Sequence, residues 1–242
     1  MGLTLGVGWL ARAAREDDLE DFAFFRQPYD ALNMILAEAG LPPHDEPLDI
    51  PEDHLFEAQM WGYGGLHAIR RLAAYWAIER RLPPPGARYE DFSKDPMTER
   101  LNQMLLQWDD GRQKKGVFSR IFQSRNEKPA FQHLLWHSDA EGFYLPRPFD
   151  DVLFDTAAVQ RDGVGGMIGS AVKLREECLI LAEAIALPLD LDIESDELVE
   201  AAENPASSGK PWQIYGIEAF GLARLISATE QALLLNAALI FQ

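Results

Sequence analysis

The chain is predicted to be an α+β protein: predominantly helical, with a short, mainly antiparallel sheet. Three observations predict this. Several long stretches carry apolar residues at three- and four-residue steps, the spacing of a helix that buries one face. Short aromatic or β-branched runs bounded by turn-forming residues occur in the middle of the chain and near its C-terminal end. The two kinds of segment come in blocks instead of alternating, which argues against a regular βαβ winding. With 242 residues, 47% hydrophobic and 25% charged, the chain can bury roughly 70–75% of its unfolded surface. One α+β domain over 1–242 is expected.

The first helix is predicted from Leu19 to Ala39, where Phe22, Phe25, Tyr29, Leu32, Ile35 and Leu36 recur at helical spacing before Gly40 and Pro42 end it. A proline-marked polar loop follows to Asp53. Leu66 to Leu82 is the clearest helix, with Leu66, Ile69, Ala73, Trp76 and Ala77 on one face and Arg70, Arg71, Arg80 and Arg81 off it; Pro83-Pro84-Pro85-Gly86 stops it. Asp95 is placed to cap a further helix that opens with Pro96 and runs to Trp108. Phe131 to Trp136 and Gly142 to Leu145 read as two strands of a hairpin, and Asp151 to Asp155 as a third strand. Helices are predicted over Ala171–Ala186, from Ser195-Asp196-Glu197 onward, and over Pro211–Leu235. Ala237 to Phe241 is apolar enough for a buried last strand.

Composition excludes several classes. One cysteine, Cys178, cannot form an internal disulfide, and it lies on the helical stripe Leu174, Cys178, Leu181, Ala182, Ile185, so a buried core thiol is expected. No run approaches the ~20 apolar residues of a membrane span, and the apolar start lacks the basic flank of a secretory signal. A cytoplasmic location is expected. The net charge of −17 argues against nucleic acid and anionic membrane as partners and is compatible with a basic protein partner. Residues 112–128 stand apart as a basic insertion, with Arg112, Lys114, Lys115, Arg120, Arg125 and Lys128 against Glu127 alone. The rest of the chain carries −22.

The densest group of chemically able residues is His137-Ser138-Asp139-Ala140-Glu141-Gly142. An imidazole and two carboxylates at a turn can orient a water or exchange protons, provided that they reach one substrate. His67 is the remote residue considered to complete such a catalytic set. His133 and His137 are four apart; on a strand that is about 13 Å, too far to share an ion. No metal and no cofactor are expected. The glycine cluster Gly163-Val164-Gly165-Gly166-Met167-Ile168-Gly169-Ser170 precedes a helix, where an anion could bind, but it matches neither a dinucleotide fingerprint nor a Walker loop. Ser170 as a helix cap is the plainer expectation. Trp61-Gly62-Tyr63-Gly64-Gly65 precedes the arginine-bearing helix, so Tyr63, Arg70 and Arg71 are ligand-binding candidates together with Gly166, Gly169 and Ser170.

The strings Gly2-Leu3-Thr4-Leu5, Ala39 to His44, Tyr63 to His67, His137 to Pro146 (HSDAEGFYLP), Gly166 to Ser170 and Tyr215 to Glu218, with the apolar final strand, resemble an uncharacterised family of small acidic bacterial cytoplasmic proteins. The resemblance covers most of the chain, leaves 112–128 as an extra, and implies one compact domain with no catalytic assignment. In layout and acidity the chain also resembles the immunity proteins of bacterial toxin systems.

Three functions follow in order of expectation. The first is a non-enzymatic binding or interaction protein, of immunity type, for a basic protein. The second is a hydrolase or metal-dependent enzyme centred on His137, Asp139 and Glu141 with His67. The third is a small-anion-binding module at Gly163–Ser170, with Arg70 or Arg71 as counter-charge.

Overall fold

The computed structural model describes residues 3–15, 19–85, 94–113, 130–137, 142–155 and 164–241. The elements run β1 (Thr4–Val7), α1 (Trp9–Arg15), α2 (Leu19–Glu38), a 3-10 turn (Glu52–His54), β2 (Phe56–Gln59), α3 (Gly62–Glu79), α4 (Pro96–Gln113), α5 (Gln132–Leu135), β3 (Gly142–Leu145), β4 (Leu153–Phe154), β5 (Met167–Ser170), α6 (Ala171–Ala184), α7 (Asp196–Glu203), α8 (Pro211–Ile214), α9 (Gly216–Leu235) and β6 (Leu239–Phe241). The architecture is α+β and helix-dominated, with one mixed sheet ordered β2-β1-β6-β3-β5-β4. Every neighbouring pair is antiparallel except β3 and β5.

The sheet divides two cores, and alternation along its strands fills both. Leu5 and Val7 of β1, Tyr144 of β3, and Leu239 and Phe241 of β6 enter the larger core with α3, α6, α7 and α9. Phe143 and Leu145 of β3 and Ile168 of β5 enter the smaller core with Leu10, Tyr29, Leu32, Ile35 and Leu36 of α1 and α2. All four residues of β3 are buried, which is why its sequence reads as continuously apolar.

Helix α9 is the centre of the larger core. It packs on α3, α6, α7 and α8 and on β1, β2 and β6. Its residues from Gly216 to Leu222 are buried without a gap. The close approach of α7 requires Gly216, because a Cβ there would stand 1.7 Å from the Ala201 carbonyl oxygen. The predicted helix over Pro211–Leu235 is broken at Tyr215, whose φ of −102° and ψ of 46° separate α8 from α9.

Four other predictions are corrected. Residues 132–135 form a helix, not a strand, and no hairpin joins them to β3, whose neighbours are β6 and β5. The one-turn helix exists because tertiary partners hold it. Phe131 turns the chain at φ 63°, and Glu177 accepts the exposed N–H groups of His133 and Leu134 at 3.2 and 2.8 Å. The Trp61–Gly65 stretch, placed ahead of the arginine-bearing helix by its sequence, contains the first residues of α3. Arg70 and Arg71, read as lying off the apolar face, are 7% and 4% exposed. The glycine cluster does lead into a helix, α6, but its last four residues form the strand β5, in register with β3. Of the basic insertion, residues 114–128 lie outside the described residues, as do Ser138 to Glu141 and Gly163.

Gly216→Ala should lower unfolding stability in urea by about 1–3 kcal/mol, the usual cost of forcing volume into a packed contact. Cys178 is fully buried, and burial beside Glu177 pushes its thiol well up. Its alkylation should therefore track unfolding, remaining slow in native buffer and becoming rapid past the urea midpoint.

Candidate functional site

His137 lies at the start of the densest polar stretch, and its ring is packed inward. It is 2% exposed, stacks on Tyr144 with ring centres 3.9 Å apart, and meets Phe241 edge-on. Its Nε2 lies 3.1 Å from the Phe143 carbonyl, to which it donates. Gly142 is needed for this packing. Its φ is 119°, and a Cβ would stand 2.8 Å from the imidazole Cε1. Asp139 and Glu141 lie outside the described residues.

His133 and His137 do not share a strand, so the 13 Å separation does not apply. Both flank the one-turn helix α5, with His133 inside it and His137 two residues beyond. They are engaged separately. His133 Nδ1 accepts from the Ser170 backbone N–H at 3.0 Å, and its Nε2 faces the Asp150 carbonyl at 3.4 Å. Among the described residues no three His, Cys, Asp or Glu groups are arranged to hold a metal ion.

The two arginines of α3 serve different helices, Arg70 at α5 and Arg71 at the start of α4. Arg70 donates to the carbonyls of Leu134 and His137 at 2.9 and 2.7 Å, satisfying acceptors at the C-terminal end of α5. The structure therefore brings Arg70 to His137, through backbone. His67 is half-buried one turn earlier, and Tyr63 is 39% exposed. Arg71 donates to Asp95 at 2.7 Å and to the Pro84 carbonyl at 3.2 Å, while Asp95 also accepts the Met97 N–H and so caps α4 as the sequence predicts. Glu218, in the first turn of α9, is buried beside Arg71 and Tyr215. Burial raises its carboxyl to about 7, against the pull of Arg71.

At the β5–α6 junction the polar groups are engaged by the protein. Ser170 Oγ accepts the Lys173 N–H at 3.2 Å, as a cap should, and donates to the Arg147 carbonyl at 2.7 Å. Gly166 turns the chain at φ 73°. Gly169 lies under the Tyr144 ring, where a Cβ would stand 2.3 Å from a ring carbon.

The feature with the largest electrostatic consequence is the distribution of carboxylates. Residues 27–69 contain eight Asp or Glu and no Lys or Arg; residues 176–209 contain ten and none. The remainder of the chain has a net charge of +1, so these two stretches account for the whole net negative charge. Sixteen of the eighteen carboxylates are exposed. The total of −22 and the acidic start of α7 do not reveal this partition; the signal for it is the two long runs without Lys or Arg.

Helix α9 touches both stretches. Arg224 donates to Glu194 at 3.1 Å, and Gln231 donates to the His54 carbonyl, between Glu52/Asp53 and Glu57, at 2.8 Å. Residues 224 and 231 are two turns apart on one face, about 10 Å along the axis. Each stretch is also held from beneath. Arg224 is 3% exposed, lies over Phe220, and leaves Nε and Nη1 without a hydrogen-bond partner. Burial lowers its guanidinium, and Glu194 and Asp192 oppose that shift. In the other stretch His44 and Glu46 form a buried pair at 2.6 Å. Glu46 accepts the Ala238 N–H at 2.8 Å, and Asn33 brackets the His44 backbone with two hydrogen bonds.

Compared with known proteins, residues 1–241 match one family model, whose description reads “Putative DNA-mimic protein”. No curated protein and no solved structure matches the chain.

The Glu218 shift sets a pH dependence. A folded-state value of about 7 against an ordinary 4.5 means that the native state keeps a proton which the unfolded chain releases between those limits. Stability is then full below about pH 4.5 and is lost as pH rises through about 7, by about 3 kcal/mol in total. Glu218→Gln removes this slope. In denaturant titrations it should match the wild type at pH 4 and exceed it by up to about 3 kcal/mol at pH 8.

Proposed function

From the premise that the chain belongs to the DNA-mimic family, whose model spans residues 1–241, we propose that it is a non-enzymatic binding protein whose carboxylates occupy the phosphate-binding face of a basic, DNA-binding protein. The observation that carries this reading is the confinement of the net negative charge to two cation-free, largely exposed stretches, each of which contacts α9 at one point. A protein that reads the DNA backbone presents Lys and Arg to phosphates that recur about every 3.4 Å of helix axis on each strand. A mimic must offer comparable charge without cations of its own in between, which these stretches do.

Rigidity supports the same reading. A mimic that ordered its acidic segments only on binding would lose part of its affinity to that ordering. The buried Arg224 and the His44–Glu46 pair fix both stretches beforehand. The expected meeting place is the cytoplasm. In the narrower, immunity-type form of the proposal the basic partner is a toxin, and duplex DNA would not compete for it.

Competition tests this directly. The immobilised chain is offered the heparin-retained fraction of a native lysate, then washed with short duplex DNA. Release of the bound protein by DNA and by salt is expected. Substituting Asp190, Asp192, Glu197 and Glu200 with their amides should weaken capture at least tenfold and flatten its salt dependence, since phosphate-type contacts carry the salt slope. Retention that ignores DNA, salt and these substitutions would sink the proposal.

A further inference from the structure

A cleft of about 440 Å³ lies where α5 meets α6, lined in part by Arg80, Phe131, Gln132, His133, Lys173 and Ile180. Its size is within the ~300–1,000 Å³ of small-molecule sites. Most of its polar groups are already engaged. Both carboxylate oxygens of Glu177 accept N–H groups of α5. His133 accepts at Nδ1, which places its proton on Nε2, facing the Asp150 carbonyl. Lys173 is held by Glu176 at 2.9 Å and faces Asp150 at 3.8 Å.

Two groups have unmet needs. Gln132 is 1% exposed, yet neither Nε2 nor Oε1 of its carboxamide has a hydrogen-bond partner. A buried donor and a buried acceptor left unfilled together are uncommon, because each forfeits its hydration without return. Arg80, the left-handed residue that ends α3, is exposed, and no ion pair joins it to a carboxylate among the described residues. The apolar wall of the cleft includes Phe131 and Ile180, the latter 44% exposed.

We infer that this cleft binds the C-terminal end of a short peptide or an equivalent N-acyl amino acid. A peptide group offers the C=O and N–H that a carboxamide complements. A terminal carboxylate matches the guanidinium fork of Arg80. An apolar side chain would cover Ile180. A bare anion fits less well, since it cannot donate to Gln132 Oε1 and the N-terminal amides of α5 already hold Glu177. Neither Gln132 nor Arg80 belongs to the cation-free stretches, so this site and the mimic surface are separable by mutation.

Calorimetric titration of the full chain with N-acetyl-leucine tests the site, with N-acetyl-leucinamide (no carboxylate) and 4-methylpentanoate (no amide) as controls. Binding of N-acetyl-leucine at least tenfold tighter than of either control is expected. Gln132→Leu should abolish that binding while leaving the urea midpoint equal to or above the wild type, because it removes two orphaned polar atoms. Arg80→Gln should erase the preference for the acid over the amide. Absence of heat with N-acetyl-leucine at millimolar concentration, unchanged binding in Gln132→Leu, or a lowered midpoint in that variant would each overturn the inference.

Discussion

The larger core of this fold is positioned by the need to cover α9. Its first two turns are buried without interruption, and a helix apolar on all sides cannot be stable unless other elements surround it. Helices α3, α6 and α7 and the face of the sheet supply that cover. Burial at about 25 cal/mol per Å² of apolar surface drives the assembly. What remains for the polar residues is the outside, and it is there that the carboxylates collect. The core thus determines where charge can be displayed before any partner is considered.

Such a display has a cost. Sixteen exposed carboxylates in two stretches without Lys or Arg repel one another, and a large net charge opposes the compact state. The structure offsets this from below. Arg224 reaches out of the core to Glu194, Arg12 reaches Glu57 at 3.0 Å, and Lys173 meets Glu176 at 2.9 Å. The buried His44–Glu46 pair serves differently. It places a carboxylate inside, where it accepts the Ala238 N–H just before β6 and so ties an irregular, proline-marked loop to the sheet. An anchored loop keeps Asp45 and Asp49 on the surface at fixed positions instead of letting them spread apart.

The long elements were legible because burial on one face leaves a periodic trace: α2, α3, α6 and α9 all stand where apolar spacing places them. The caps at Asp95 and Ser170 were legible for an equally local reason, since a short acceptor just ahead of a helix meets its own backbone. What failed was set by distant partners. Helix α5 carries a strand-like sequence and is made helical by Glu177 at one end and Arg70 at the other, 64 residues earlier in the chain than the carbonyl it binds at Leu134. The strands β1 and β2 are four residues each and passed unread. Of the candidate site, the inward packing of His137 against Tyr144 could not be read from composition, since the same residue types serve a core and a catalytic centre alike. The acidity was legible in total, and its confinement was visible in the spacing of Lys and Arg.

Strand β6 lies between β1 and β3, so one strand drawn from residues 239–241 joins the two parts of the sheet. Leu5 pairs with Phe241 across nearly the whole described chain. A nascent polypeptide can form α2, α3 and α6 as it emerges, but its sheet stays in two pieces, each with an open edge. Such edges invite pairing with other chains, and contacts this remote in sequence form slowly. Pairing of residues 239–241 with both β1 and β3 is then the step that joins the two pieces and covers the open edge of each.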